Sequence, residues 1–208
     1  MEELLRILKR ATNVLENHDI DYIVFGGIAV WAYGRRRKTH DIDLLIKKGD
    51  AKETLGALSD VGFITEETDH TWLYKATLDQ SDIDLIFEAK GGIKLTPEIL
   101  ERQRQLEISG YNFRVIDPEN LVILKILATK EMRPADWYDA LSILERTQYL
   151  DWDYVISKSQ NNILRFLSFV FFAQAMSEEK TGWAVVPNEV IDKLYDDYRR
   201  GQGISKIA

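Results

Sequence analysis

The sequence contains no cysteine. Disulfides, thiolate metal sites and cysteine nucleophiles are therefore excluded, and the absence suits a reducing, cytoplasmic setting. There is no excess of positive charge either: 27 Lys and Arg stand against 34 Asp and Glu, for a net charge of −7. A large nucleic-acid footprint normally brings a basic surface with it. The acidic balance thus argues against a dedicated DNA or RNA binder and is compatible with metal ions or a cationic small molecule. No apolar run reaches the roughly 20 residues that a membrane span needs. The most apolar stretch, 163–176, is shorter and carries Arg165, which predicts a buried helix instead. The N-terminal MEELLRILKRATNVLE is charged and amphipathic, without the apolar centre of a signal peptide. Internal repeats of solenoid length and low-complexity tracts are absent too.

What is present is globular composition: 208 residues, 45% hydrophobic and 29% charged, room for one domain or two small ones. Residues 3–17 carry Leu4, Leu5, Leu8, Ala11, Val14 and Leu15 at helical spacing. A short β-rich run follows at 22–25, stopped by Gly26-Gly27, and 28–33 predicts a short helix. Residues 41–46 read as a strand, 50–61 as a helix ended by Gly62, and 71–78 and 82–88 as two more strands. Residues 105–116 predict a hairpin turning near Ser109-Gly110. At Asp117-Pro118-Glu119 the character changes: an N-cap acid, a proline at the first helical position and another acid open a helix. Helices are then expected over 118–130, 134–147, 151–160, 162–176 and 187–200. The expected fold is α+β, with an α/β domain over 1–117 and a helical domain over 118–208.

Chemistry concentrates in two strands. In DIDLLI (41–46) the alternation of a strand points Asp41 and Asp43 one way and Ile42, Leu44 and Ile46 the other. Two carboxylates on one face of an apolar strand repel each other and lose hydration, and a divalent cation with oxygen ligands compensates both costs. DIDLIF (82–87) repeats the pattern with Asp82 and Asp84. Neighbouring strands would gather three or four carboxylates, the number that two-metal phosphoryl-transfer sites use. Upstream, Gly26-Gly27 lies between a strand and a helix, where bare backbone N–H groups and the helix dipole suit a phosphate.

Gly26-Gly27, thirteen residues, Asp41-Ile42-Asp43 and a later Ile83-Asp84-Leu85 resemble the nucleotidyltransferase superfamily, which includes DNA polymerase beta and the aminoglycoside nucleotidyltransferases. More narrowly, Gly26-Gly27-Ile28-Ala29, Tyr33-Gly34 and Arg37-Lys38-Thr39-His40-Asp41-Ile42-Asp43-Leu44 look like the AbiEii-type toxin nucleotidyltransferases and their small relatives. A helix carrying Lys125, followed by Arg133, Asp136 and Asp139, fits the same group. The likeness covers roughly residues 20–145.

The resemblance implies a mixed sheet flanked by helices, with an all-helical half after it. It implies a nucleoside triphosphate, ATP included, on Gly26-Gly27, with Arg37, Thr39 and Lys125 as further phosphate contacts. Asp41 and Asp43 would bind two Mg²⁺ ions, Mn²⁺ being an alternative. Asp84 would bind one of them and help deprotonate an acceptor hydroxyl, with Asp82 as its rival for that role. The acceptor would attack the α-phosphorus and release pyrophosphate, and the acceptor classes are tRNA, a protein side chain or a small molecule. A toxin-like role with an antitoxin-like protein partner also follows from the resemblance.

Each accessory residue has a plainer role open to it. Arg35 to Lys38 attract phosphates or form a solvated loop that offsets the acids. Lys125 reaches a phosphate or snorkels from its helix. His40 falls on the strand face opposite Asp41. Trp31, Tyr33, Trp72 and Tyr74 stack on a base or belong to the core. Beside the enzyme stand two further readings: a non-catalytic nucleotide-binding module, and a toxin–antitoxin interaction protein whose helical half docks a partner.

Overall fold

The computed structural model describes residues 1–130, 134–147, 149–181 and 185–201. The chain divides into two compact units, Met1–Asp117 and Pro118–Ala208.

The first unit is built on a mixed seven-stranded sheet in the order β3-β4-β5-β2-β1-β7-β6. Helix α1 (Glu2–Asn17) buries Leu4, Leu5, Leu8, Ala11, Val14 and Leu15, the stripe its spacing predicts. Strand β1 (Tyr22–Phe25) is buried at every position, as a strand covered on both faces must be. It runs directly into α2 (Gly26–Tyr33). Strand β2 (Asp41–Ile46) pairs antiparallel with β1. Helix α3 (Ala51–Asp60) follows, and Gly62 at φ +95° takes the left-handed conformation beyond its end.

Strand β3 (Ile64–Asp69) is an edge strand that its sequence hides. ITEETD is mostly exposed and lacks apolar alternation, and polar side chains are what keep such an edge from pairing further. Strands β4 (Leu73–Leu78) and β5 (Ser81–Ile86) form a hairpin whose Asp79 and Gln80 both have positive φ. Helix α4 (Pro97–Arg102) was not expected from periodicity, yet it has a clear start: Thr96 Oγ1 accepts from Ile99 N, and Pro97 sits in its first turn. Strands β6 (Arg104–Ile108) and β7 (Tyr111–Val115) are the predicted hairpin, turning at Ser109 and Gly110 with φ of 50° and 86°.

The second unit is helical in its described residues. Helix α5 (Pro118–Ala128) is buried nearly all round, including Leu121, Val122, Ile123 and Ile126. Helices α6 (Ala135–Leu144), α7 (Trp152–Ser157), α8 (Ile163–Thr181) and α9 (Asn188–Gly201) follow. Asp151 caps α7, its Oδ1 accepting from Tyr154 N at 3.0 Å. Helix α8 departs from the expectation of full burial. Phe166 and Phe169 are buried, whereas Leu164 and Phe171 are 55% and 53% exposed. An apolar sequence all round a helix does not say which face will pack, and here one stripe stays in solvent. Among the described residues, no helix is long and apolar enough to cross a membrane.

Candidate active site

The site grows out of one register. Strands β2 and β5 run parallel, with Asp41 opposite Asp82 and Asp43 opposite Asp84. Residues paired across strands share a sheet face, so one face carries both acid pairs while Ile42, Leu44, Ile83 and Leu85 go to the core. Asp41, Asp43 and Asp84 each present an oxygen within 4.8 Å of the others. Asp82 stands beside this trio, exposed, its Oδ1 accepting from Thr77 Oγ1 at 2.8 Å.

The Gly-Gly turn touches the trio. Gly26 has φ +63°, and a Cβ added there would lie 1.8 Å from Asp43 Oδ2. A Cβ on Gly27 would lie 2.3 Å from Thr39 Oγ1, which itself donates to Asp41 Oδ1 at 3.0 Å. Bare backbone is therefore a geometric requirement at both positions, and Thr39 orients one of the acids. Arg37 Nη1 donates to the Lys38 carbonyl at 3.2 Å. Arg36 lies over the Trp31 ring, 5.0 Å from its centroid. Arg36, Arg37, Lys38, Thr39 and His40 line an open cavity of about 440 Å³.

One residue of this face went unnoticed in the sequence. Lys75, on β4, pairs across from Asp84, and its Nζ lies 3.0 Å from Asp84 Oδ1. That carboxylate holds the lysine above its usual pKa against the effect of burial, and Asp82 and Asp41 add to the pull. Asp84 Oδ1 is buried and accepts no well-formed hydrogen bond.

Three carboxylates, each with an oxygen within 4.8 Å of the others and one of them carrying a buried oxygen faced by a lysine ammonium, form a hard oxygen donor set. The residues fit a divalent ion of the Mg²⁺ class.

The other candidates have local partners. Tyr74 is buried and donates to Glu67 Oε2 at 3.0 Å, and Trp72 Nε1 donates to Asp69 Oδ2. The Tyr33 hydroxyl donates to the Ile116 carbonyl at 2.8 Å. In the second unit Lys125 is buried, its Nζ 2.8 Å from Asp136 Oδ1 and 3.1 Å from Asp139 Oδ2. Arg133 lies outside the described residues.

Residues 4–164 match the family model described as nucleotidyl transferase of unknown function (DUF2204). The chain belongs to this family. It is a nucleotidyltransferase, as the two acid strands and the Gly-Gly turn had suggested. No match is found among curated proteins. Solved structures with the same fold include the antibiotic-resistance factor ANT(2'')-Ia, 13% identical with a TM-score of 0.52. That match covers 95% of this chain and 92% of the other. A second is the lincosamide antibiotic adenylyltransferase LnuA, solved with lincomycin bound and 16% identical with a TM-score of 0.51. It covers 71% of this chain and 98% of the other. At these identities the likeness is one of fold, an α+β mixed sheet with helices after it.

Proposed function

We propose that this nucleotidyltransferase moves a nucleoside monophosphate from a nucleoside triphosphate to a hydroxyl acceptor, with Asp41, Asp43 and Asp84 as its metal-binding acids. The observation that carries the proposal is the convergence of these carboxylates, from two parallel strands in register, beside a glycine turn. Two Mg²⁺ ions held there would neutralise the negative charge that builds on the transferring phosphoryl group. The chain's own residues do the rest by positioning. The N–H groups at Gly26-Gly27, at the start of α2, receive phosphate oxygens, with Thr39 and Arg37 alongside. Asp84 takes the proton of the acceptor hydroxyl as its oxygen bonds to the α-phosphorus. The bond from that phosphorus to the β-phosphate's bridging oxygen breaks, and pyrophosphate leaves. Lys125 has a different employment, neutralising two buried acids, so the proposal rests phosphate contact on the first unit's residues.

ATP is the first donor to test, because LnuA is an adenylyltransferase. The lincomycin in that structure makes small hydroxyl compounds the first acceptors. The deciding experiment is thermal unfolding with and without Mg²⁺ and each of the four ribonucleoside triphosphates, alongside an Asp41→Ala/Asp43→Ala protein. A bound ligand at a hundredfold excess over Kd adds about 2.7 kcal/mol to native stability. One triphosphate is expected to stabilise the wild type only with metal, and the double variant is expected to lose the effect. No shift with any triphosphate at millimolar concentration would refute the proposal.

A further inference from the structure

We propose that Lys75 is a resident counter-cation of the acidic site, one that weakens divalent-metal binding to Asp41, Asp43 and Asp84. The inference rests on the metal-binding assignment made above.

Lysine on a strand face next to solvent usually finds the nearest exposed acid or none. Lys75 has such an acid available: Glu66 on β3 is its cross-strand partner on one side and is exposed. Asp84 on β5 is its partner on the other side. The ammonium lies 3.0 Å from Asp84 Oδ1, the buried oxygen that accepts no well-formed hydrogen bond. The lysine therefore turns inward, toward the acids rather than the sheet edge. Physical chemistry supplies the reason. Three carboxylates within 4.8 Å generate a field that a single positive charge relieves, and Asp84 is the one that Lys75 contacts.

An ammonium at that distance has two effects on an incoming divalent ion. It occupies lone-pair space on the Asp84 carboxylate, one of the proposed ligands, and it repels the ion by Coulomb's law. Both effects lower metal affinity, and both vanish when the charge is removed. A merely structural lysine would do the reverse: its loss would loosen β4 against β5 and weaken metal binding. The sign of the change thus separates the two roles.

The test is a Mn²⁺ titration of the full chain, with free Mn²⁺ counted by electron paramagnetic resonance, on wild type, K75M, K75R and D41N/D43N. K75M keeps the length and apolar stem of the side chain. Its Mn²⁺ affinity is expected to rise on the order of tenfold, the size of one charge removed a few ångströms away in a largely aqueous dielectric. K75R is expected to stay within about twofold of wild type on the same electrostatic grounds. If K75M does not fold, as judged by its unfolding transition, K75Q carries the same expectation. Equal or weaker Mn²⁺ binding by a folded, uncharged variant would overturn the proposal. That holds alone if D41N/D43N has lost the binding that wild type shows. If D41N/D43N binds Mn²⁺ as wild type does, the metal assignment falls and the Lys75 proposal falls with it.

Discussion

Substituting Gly26 by alanine should separate the fold from the chemistry. Two costs act on stability and one on function. At φ +63° an L side chain is held in the left-handed region, which costs about 1–2 kcal/mol. The added Cβ also meets Asp43 Oδ2 at 1.8 Å, Cγ at 2.5 Å and Cβ at 2.9 Å. To regain an ordinary contact the carboxylate must retreat by roughly 1.5 Å. Displacements of that size at reacting or ligating groups cost about a hundredfold in rate. Urea denaturation should therefore report a modest loss, while the stabilisation by Mg²⁺ and triphosphate collapses. Gly56→Ala is the control: in α3 nothing lies within 4 Å of the new Cβ, and a gain of about 0.5–1 kcal/mol is expected. In an Asp43→Ala background most of the clash disappears, so Gly26→Ala should there cost little beyond the backbone strain. The difference between the two backgrounds measures the displaced carboxylate. A Gly26→Ala protein with wild-type ligand stabilisation would refute the claim that Asp43 depends on a bare glycine.

Lys125→Met removes the charge between Asp136 and Asp139 and leaves two buried carboxylates without it. A loss of about 3–5 kcal/mol is expected from chemical denaturation; a loss under 1 kcal/mol would show the cluster to be neutralised otherwise. Tyr22 is buried and its hydroxyl donates to Glu16 Oε1 at 2.6 Å, and burial followed by the negative charge of Glu16 raises its pKa. The neutral phenol is thus the form the fold stabilises. This contribution is complete below the unfolded tyrosine pKa of about 10 and is lost as pH climbs toward the raised folded value. Stability measured between pH 9 and 11.5 should fall in wild type by more than in Tyr22→Phe, and parallel curves would refute the linkage. Thr39→Ala removes the hydroxyl that orients Asp41 and the group that a Gly27 side chain would strike. It should relieve part of the penalty of Gly27→Ala, read as non-additive unfolding energies.

The acid strands were legible because a period of two is unambiguous when aspartates alternate with isoleucine and leucine, as at 41–46 and 82–87. The 105–116 hairpin was legible because Ser109-Gly110 is turn chemistry at a two-residue loop. Lys75 was not, because its meaning depends on register. The β4–β5 turn uses Asp79 and Gln80 in left-handed conformations without a glycine, so the loop gives no strong hairpin signal. Had that turn been recognised, counting back from it would have set Lys75 opposite Asp84. Strand β3 was hidden by its polarity, and α4 by its six-residue length, although Thr96-Pro97 marks its start. For Lys125 the helix and its apolar neighbours were readable, whereas its burial against Asp136 and Asp139 depends on how α5 meets α6.

Strands β2 and β5 are joined through α3, β3 and β4, so their pairing closes a long stretch of chain. Hairpins β4–β5 and β6–β7 close locally and quickly, whereas this parallel pairing waits on loop closure. The trio is complete only after that closure, since β2 supplies two acids and β5 the third. Metal capture during refolding would therefore serve as a clock for a single long-range event, insensitive to helices that form early.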